Sequence, residues 1–207
     1  MPLTTYDGLL ASLAGWLMRD DLTAVLPDFV ALAEDDMNRR LRLRSMMKRA
    51  TTTIDADLEA NGYETLPADF LQMWRLSLDG EPLEFAAASR MAEYALQFRG
   101  GRPAYFSIVG EQLHFAPQGP APGGVVEMVY YAKVPALSEE NQSNALLRAS
   151  TAVYLYGSLK QSAPYLGDDA RTGTWAQLYD EAAGLLQGAD DAAEFAGPLV
   201  PRSGMWG

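Results

Sequence analysis

Cysteine is absent from the 207-residue chain, and histidine occurs only once, as His114. The absence of cysteine excludes disulfide bonds, cysteine-ligated zinc and a thiol nucleophile. Any catalytic triad or histidine-based metal site has to be built around His114, and scattered carboxylates beside one histidine are weak support for a metal. We therefore expect no metal and no cofactor, and a structural or solvent-facing His114.

Long apolar runs and targeting segments are also missing. No stretch approaches the roughly 18 apolar residues that a membrane-spanning helix needs. The N-terminus MPLTTYDGLL has neither a basic region nor a long apolar region, so it does not have the pattern of a signal peptide. The sequence therefore predicts no membrane association, and it indicates a protein that is made in the cytosol.

Catalytic signatures are scarce. The sequence contains no GxxxxGK[ST] phosphate loop and no GxGxxG after a strand, and Gly157-Ser158 lies in a helical pattern without the second glycine of a GxSxG elbow. Adjacent carboxylates such as Asp35-Asp36 point in different directions on a helix, so they are poor acid–base pairs. Asp168-Asp169 is better placed as a helix N-cap. A two-carboxylate glycosidase arrangement stays open, but we expect no enzymatic activity.

Helical periodicity fills both ends of the chain. Apolar residues recur at i, i+3, i+4 and i+7, which predicts helices with one buried stripe. Thr4 or Thr5 is expected to cap the first helix, and Ser143 or Asn144 the third, which Pro164 ends. The third helix is apolar nearly all round, so we expect it at the centre. The predicted helices cover about 5–17, from 24 or 26 to 43, 144–162, and from 168 or 169 to about 186, with an extension to 195 as the alternative end.

The middle of the chain has the period of about 2 that is typical of strands. Trp74, Leu76 and Leu78 are expected to share one strand face, and Asp79-Gly80 after them predicts a hairpin turn. A short helix is expected over 87–98. The predicted strands cover about 49–54, 63–66, 70–78, 82–85, 105–109, 112–115 and 125–133.

This order of elements predicts an α+β fold. We expect residues 1–45 and 137–195 to form a discontinuous helical domain, a bundle of about four helices. Residues 46–136 are expected to form a β-rich insert between them, and residues 196–207 a C-terminal arm rich in glycine and proline, without structure of its own.

A local run of basic residues stands out against the formal net charge of −11. Six of the 16 lysines and arginines fall within residues 39–49. One interpretation is a solvated helix end that complements the helix dipole. The other is a docking patch for an acidic protein surface or for nucleic acid, which predicts strong salt dependence if the ligand is DNA. The run consists of Arg39, Arg40, Arg42, Arg44, Lys48 and Arg49.

The C-terminal arm carries apolar residues that have nothing local to pack on. It is either a disordered end or a peptide that becomes ordered on a partner, with Trp206 as its anchor. The candidate contact residues of the arm are Leu199, Val200, Arg202, Met205 and Trp206.

The chain resembles the head–tail adaptors of tailed bacteriophages, also called connector or head-completion proteins, over most of residues 5–186. Each segment alone is weak, and the order and spacing of the segments carry the resemblance. The segments are YDGLLASLAGWLMRDDLTAVLPDFVALAEDDMNRRLR, ETLPADFLQMWRLSLDGEPLEF, GRPAYFSIVGEQLHFAP, VEMVYYAKVPALSEENQSNALL and YLYGSLKQSAPYLGDDAR.

The resemblance implies a structural virion protein without catalysis. Such adaptors form a ring, commonly twelve-fold, between the portal protein and the tail or nozzle proteins, at the neck of a virion assembled in the host cytoplasm. Genomic DNA passes through the ring without sequence-specific binding, and the C-terminal arm commonly reaches the portal. Under this interpretation, the acidic last helix with Asp168 and Asp169 is expected to face the basic end of helix 2 in a neighbouring copy. The alternatives are another neck or tail-completion protein and, with less support, a hydrolase of unrecognised class.

Overall fold

The computed structural model describes residues 2–19, 21–54, 63–97, 102–116, 123–167 and 171–194. Helices and strands in these ranges give an α+β fold, which confirms the predicted fold class. The chain divides into two compact units. We call residues 1–45 with 134–207 the helical unit and residues 46–133 the β unit.

The described residues form six helices and eight strands. The helices are α1 (Tyr6–Leu17), α2 (Leu26–Arg40), α3 (Ala88–Gln97), α4 (Ala145–Ala149), α5 (Thr151–Leu166) and α6 (Thr172–Glu194). The strands are β1 (Met47–Thr53), β2 (Tyr63–Thr65), β3 (Phe70–Leu78), β4 (Glu81–Pro82), β5 (Glu84–Phe85), β6 (Tyr105–Val109), β7 (Gln112–Ala116) and β8 (Val125–Ala132). A short 3-10 turn, Arg44–Met46, precedes β1.

Side-chain caps set where several helices begin. Thr5 Oγ1 accepts the Gly8 N–H at 3.2 Å, which confirms the predicted cap of α1. The helix predicted over 144–162 is two helices, because Asn144 caps α4 and Ser150 caps a new start at α5. Pro164 does not end α5, which runs on to Leu166; a proline this close to a helix end disturbs only the last turn.

Helix α5 contacts α1, α2, α4 and α6. Its Gly157 lets the neighbouring helices approach closely, since a Cβ built there lies 3.1 Å from Met37 Cε and 3.1 Å from the Tyr179 ring. Tyr154 and Tyr179 are the largest side chains buried completely in the unit. The apolar stripes of α1, α2 and α6 therefore pack against a helix that is buried along most of its length.

The β unit contains two four-stranded sheets, with strand orders β1-β8-β3-β4 and β2-β7-β6-β5. Strand β1 pairs with β8 in an antiparallel ladder from Met47↔Tyr131 to Thr53↔Val125 without a register shift. Residues of both sheets form one buried apolar cluster. Its members include Leu76, Leu78, Phe106, Leu113, Val126, Met128 and Tyr130.

Strand β3 departs from the predicted alternation. The register with β8 shifts between Met73 and Arg75, so the strand bulges there. Leu76 and Leu78 are buried, whereas Trp74 stays 53% exposed. The prediction that Trp74 shares one strand face with them is therefore wrong, because a bulge moves one residue out of the period of two.

The hairpin turn after β3 is confirmed, with positive φ at Asp79 and Gly80. The single return strand predicted over 82–85 is instead divided between the two sheets. Strand β4 pairs with β3, and β5 pairs in parallel with β6. Pro82 lacks an N–H, which is typical of a strand that pairs only briefly at an edge.

Candidate functional site

The basic run of the helical unit is paired with carboxylates of the same unit. Arg39 lies 2.5 Å from Asp35, one turn back on α2. Arg44 holds Asp190 of α6 in two ways, through its Nε at 3.3 Å and its backbone N–H at 2.8 Å. The charges at the end of α2 therefore help to fix α6, which comes about 145 residues later in the sequence.

Arg42 turns inward towards the backbone. Its Nη1 donates to the carbonyl oxygens of Asn38 at 2.9 Å and Leu41 at 2.6 Å. Its own N–H and carbonyl bond to the side chain of Gln187 on α6. Arg42 thus satisfies carbonyls at the end of α2 that have no partner within the helix.

A tight charged cluster surrounds Tyr179. The Arg40 guanidinium lies 5.1 Å and the Lys160 ammonium 4.7 Å from the centre of its ring, distances typical of cation–π contacts. Arg40 also pairs with Asp180 at 2.8 Å, and Lys160 with Asp36 at 3.2 Å. The cluster ties α2, α5 and α6 together.

The cluster shifts the pKa values of its members. Burial raises the pKa of Asp36, but Tyr179, Lys160 and Arg40 outweigh burial, and the net pKa lies below its usual value. Burial and the Asp36 charge raise the pKa of Tyr179, and the hydrogen bond to Asp180 raises that of Arg40. These shifts keep Asp36 ionised, Arg40 charged and Tyr179 neutral, which are the states that favour the cluster. The cluster therefore has a structural role.

In the β unit, Lys48 and Arg49 also have acidic partners. Lys48 pairs with Asp69 at 2.5 Å. Asp69 also accepts the Tyr130 hydroxyl at 3.0 Å, and burial together with this bond raises the pKa of Tyr130 to about 12. Arg49 lies 3.8 Å from Glu127, a carboxylate that Arg75 approaches more closely, at 3.1 Å.

All six residues of the basic run therefore have partners within the chain. The Arg40–Asp180 pair joins α2 to α6, and the Arg44–Asp190 pair joins the 3-10 turn to α6. Both pairs lie within one copy, whereas the sequence led us to expect contacts between neighbouring copies. Arg39 and Arg49 remain most accessible, with side chains 65% and 66% exposed. Exposed pairs are worth little and are easily exchanged for other partners.

Other candidate contact residues lie outside the described ranges. They are Asp168, Asp169, Leu199, Val200, Arg202, Met205 and Trp206.

A buried polar network in the helical unit had no sequence signal strong enough to predict it. Glu34 of α2 is only 6% exposed. Its Oε1 accepts the Leu137 N–H at 2.9 Å and the Tyr154 hydroxyl at 3.0 Å. Asn144 extends the network, since its Nδ2 donates to Tyr154 Oη at 2.5 Å and to the Pro135 carbonyl at 2.8 Å.

One turn further along α2, Asn38 accepts the Val134 N–H at 2.9 Å. Glu34 and Asn38 therefore hold the segment 134–137, where the chain returns to the helical unit. Burial raises the pKa of Glu34, and the hydrogen bonds from Leu137 and Tyr154 oppose this only in part. A carboxylate buried with neutral donors costs free energy when ionised, so the network fixes the position of the segment at some expense of stability.

The β unit has an apolar groove of about 540 Å³. Trp74 and Phe85 stand beside it, 53% and 65% exposed. Phe85 contacts Phe106 edge to face, with ring centres 5.6 Å apart. The remaining lining comes mainly from β3 and β6.

His114 lies in β7, opposite Ser107 of β6, and is half-buried. Within the described ranges, no group of three or more histidine, aspartate or glutamate residues is placed to hold a metal ion. In those same ranges, no helix is both long and apolar enough to cross a bilayer.

Comparison with known families identifies the class of protein. A family model described as SU10 adaptor protein matches residues 4–202, which is nearly the whole chain. The chain therefore belongs to the SU10 adaptor protein family, a family of structural phage adaptors. This membership confirms the resemblance to phage head–tail adaptors and favours a component of the virion over an enzyme. No curated protein matches the chain.

Proposed function

We propose that this protein forms a ring beneath the portal of a tailed phage, where it joins the DNA-filled capsid to the tail and continues the DNA channel. The observation that carries the proposal is the family match over residues 4–202. Its partners are the portal protein on one side, tail or nozzle proteins on the other, and further copies of the chain within the ring, commonly twelve in number. A ring of this kind uses head-to-tail contacts between two different patches of each copy.

The charge of the chain supports a channel that DNA passes without sticking. The net charge is −11. DNA-binding surfaces need clustered cations that release counterions from the phosphates. In this chain, all six residues of the basic run have partners within the chain, and four of them pair with carboxylates less than 3.5 Å away. The pairing of most cations in 39–49 with carboxylates therefore favours passage over binding.

We assign the two parts of the fold different tasks. Residues 1–45 and 137–195 would build the ring, and the insert 46–136 would reach towards the tail. Arg39 and Arg49, the most accessible residues of the basic run, are the candidate contacts with partner proteins. Residues 196–207 would act as an arm on the portal, anchored by Trp206.

Depletion of the protein during infection tests the proposal. We expect DNA-filled heads and free tails that fail to join, and the wild-type chain supplied in trans should restore joining. Heads that package no DNA, or fully tailed particles without the protein, would exclude a role in joining the two.

A truncation after Ala196 tests the arm separately. We expect the shortened chain to fold normally, because the described helices end at Glu194, and to lose most of its affinity for the purified portal protein. The matched control replaces residues 197–207 by a glycine–serine segment of equal length. Portal binding that is unchanged in both variants would show that the arm is not the portal contact.

A further inference from the structure

The two sheets of the β unit end in very different edge strands. Three edges are short: β2 has three residues, and β4 and β5 have two each. The fourth edge, β1, has seven residues and pairs with β8 without a bulge. Natural proteins keep exposed edges short, bulged or blocked by proline, because a long regular edge invites another strand.

The backbone of β1 offers hydrogen-bonding groups on its open side. The Ile54 N–H donates to the Gly124 carbonyl at 2.9 Å, so the groups of Ile54 face the β8 side. The side to which the backbone N–H and C=O groups point alternates from one residue to the next along an antiparallel strand. The inward-facing groups thus belong to Lys48, Ala50 and Thr52, and the outward-facing groups to Arg49, Thr51 and Thr53. In the part of the chain that the structure describes, no strand pairs with this outer side.

The charges beside this edge favour an acidic partner. β1 contains Lys48 and Arg49 and no carboxylate. Glu127 is shared by two arginines, and Arg49 is the more distant, at 3.8 Å against 3.1 Å for Arg75. One carboxylate between two guanidinium groups leaves a surplus positive charge on the solvent side of the sheet, so a carboxylate facing Arg49 would find an accessible partner.

A second copy of this chain is a poorer match for the same edge. The other described edges are too short to pair with seven residues, and β4 contains Pro82. Pairing between the β1 strands of two copies brings no carboxylate to Arg49. It would also form a two-fold contact, whereas a ring uses head-to-tail contacts.

We infer that the outer edge of β1 is a strand-addition site, which takes an extended segment of a partner protein with a carboxylate facing Arg49. The added strand bonds to the outward backbone groups of Arg49, Thr51 and Thr53 and extends the four-stranded sheet to five. This inference rests on the proposed function, because it gives the adaptor a means of joining a neighbouring neck protein, either portal or tail.

Residue-resolved hydrogen exchange tests the inference within one strand. In the free full-length chain, the amides of Arg49, Thr51 and Thr53 should exchange fast, and those of Ala50 and Thr52 slowly. In necks assembled with the portal and tail proteins of the same phage, the three outward amides should slow by about tenfold or more. The inference is overturned if they exchange equally fast in both states, or if concentration of the chain alone slows them, which would make a second copy the occupant.

Two variants test the edge through assembly. Thr51→Pro removes an outward N–H and no bond to β8, so the chain should fold and bind its neck partner at least about tenfold more weakly. Arg49→Glu should weaken binding in the same direction, and Arg90→Glu is the matched control, an exposed charge reversal on α3. Full joining activity of Thr51→Pro would contradict the inference while the proposed function stands. If the wild-type chain binds neither portal nor tail, the proposed function itself fails.

Discussion

The two units place their polar side chains differently. In the helical unit, the buried carboxylate of Glu34 and the buried amide of Asn144 both hydrogen-bond to the buried Tyr154 hydroxyl. In the β unit, the described core is apolar apart from Ser77 and Ser107, and its carboxylates pair at the surface. A buried polar group is stable only in an arrangement that gives it hydrogen-bond partners. The fold of the helical unit is therefore specified by hydrogen bonds as well as by packing.

The difference extends to what each unit leaves accessible. Arg40 at the end of α2 and Arg44 shortly after it pair with Asp180 and Asp190 of α6, so both cations stabilise the helical unit internally. Both units leave large apolar side chains exposed, among them Leu32 and Leu185 in the helical unit and Trp74 and Phe85 in the β unit. Among the described residues, the long open edge of β1 belongs to the β unit. This edge supports the proposal that the insert offers contacts to other proteins.

Replacing one carboxylate in each unit should show the largest contrast. Glu34→Ala leaves the Leu137 N–H and the Tyr154 hydroxyl without an acceptor, and we expect a loss of about 3 kcal/mol in the free energy of unfolding. Glu127→Ala removes a partly exposed partner of two arginines and should cost below about 1 kcal/mol. Urea denaturation measures both values.

The control for this comparison is Glu34→Gln, which keeps an acceptor oxygen and removes the charge. We expect it to be as stable as the wild type or more stable, because the buried charge is what costs free energy. Equal losses for Glu34→Ala and Glu127→Ala would remove the distinction between the two units.

Glycines provide the next contrast, since they are required for different reasons. Gly157→Ala adds a Cβ 3.1 Å from Met37 and Tyr179 and should cost about 1–2 kcal/mol through overpacking. Gly110 has φ of 62° and open space around it, so Gly110→Ala should cost about 1 kcal/mol through backbone strain.

Asparagine distinguishes the two causes in thermal melts. Asparagine tolerates positive φ, so Gly110→Asn should be nearly as stable as the wild type. Gly157→Asn should be less stable than Gly157→Ala, because its side chain is larger. Gly184→Ala on α6 is the control, because nothing lies within 4 Å of the added Cβ and helix propensity should stabilise it. A stabilising Gly157→Ala would show that the helices around α5 are not closely packed.

The contributions of Glu34 in the helical unit and Asp69 in the β unit should depend on pH with opposite signs. The pKa of Glu34 is raised above its ordinary 4.5, so its contribution is present below that value and is lost as pH rises through the folded pKa. Burial raises the pKa of Asp69, but Lys48 and Tyr130 outweigh burial and lower it below 3.8. The contribution of Asp69 is therefore present above 3.8 and is lost as pH falls through the folded pKa.

Urea denaturation between about pH 3 and pH 8 compares the wild type with Glu34→Gln and Asp69→Asn. The free energy of unfolding of the wild type should fall relative to that of Glu34→Gln as pH rises, and it should fall relative to that of Asp69→Asn as pH falls. The same sign for both differences would contradict the assigned shifts.

The smallest effect is expected at the exposed aromatic residue beside the groove. Phe85→Ser should change the free energy of unfolding by less than about 1 kcal/mol, because the side chain is 65% exposed. Differential scanning calorimetry measures the change. A loss comparable to that of Glu34→Ala would show that Phe85 belongs to the core of the β unit.

The sequence predicted the elements whose pattern is local. Periodicity located α1, α2, β3, β6, β7 and β8, and Asp79-Gly80 located a hairpin. It did not predict the new helix start at Ser150, because an apolar pattern continues through that residue and hides the cap. The bulge at Trp74 was not predicted either, because it depends on the register with β8, which comes about 55 residues later in the sequence.

The sequence predicted which residues form the basic run, but it did not predict which carboxylates pair with them. The basic run was plain from the sequence, but its partners Asp180 and Asp190 come about 140 residues later, and only folding brings them together. The Glu34 network had even less signal, because a glutamate among acidic neighbours on a helix is usually solvated. Its position on the buried stripe with Val30 and Met37 was the one available clue.

The most direct test of the adaptor function is cryo-electron microscopy of the neck of the phage that encodes this chain. We predict a ring of density between portal and tail that fits helices α1, α2, α5 and α6, with the DNA channel running through it. The same map should show a strand about 5 Å from the outer edge of β1. A neck in which the portal meets the tail directly, with this chain absent from the interface, would contradict the adaptor function.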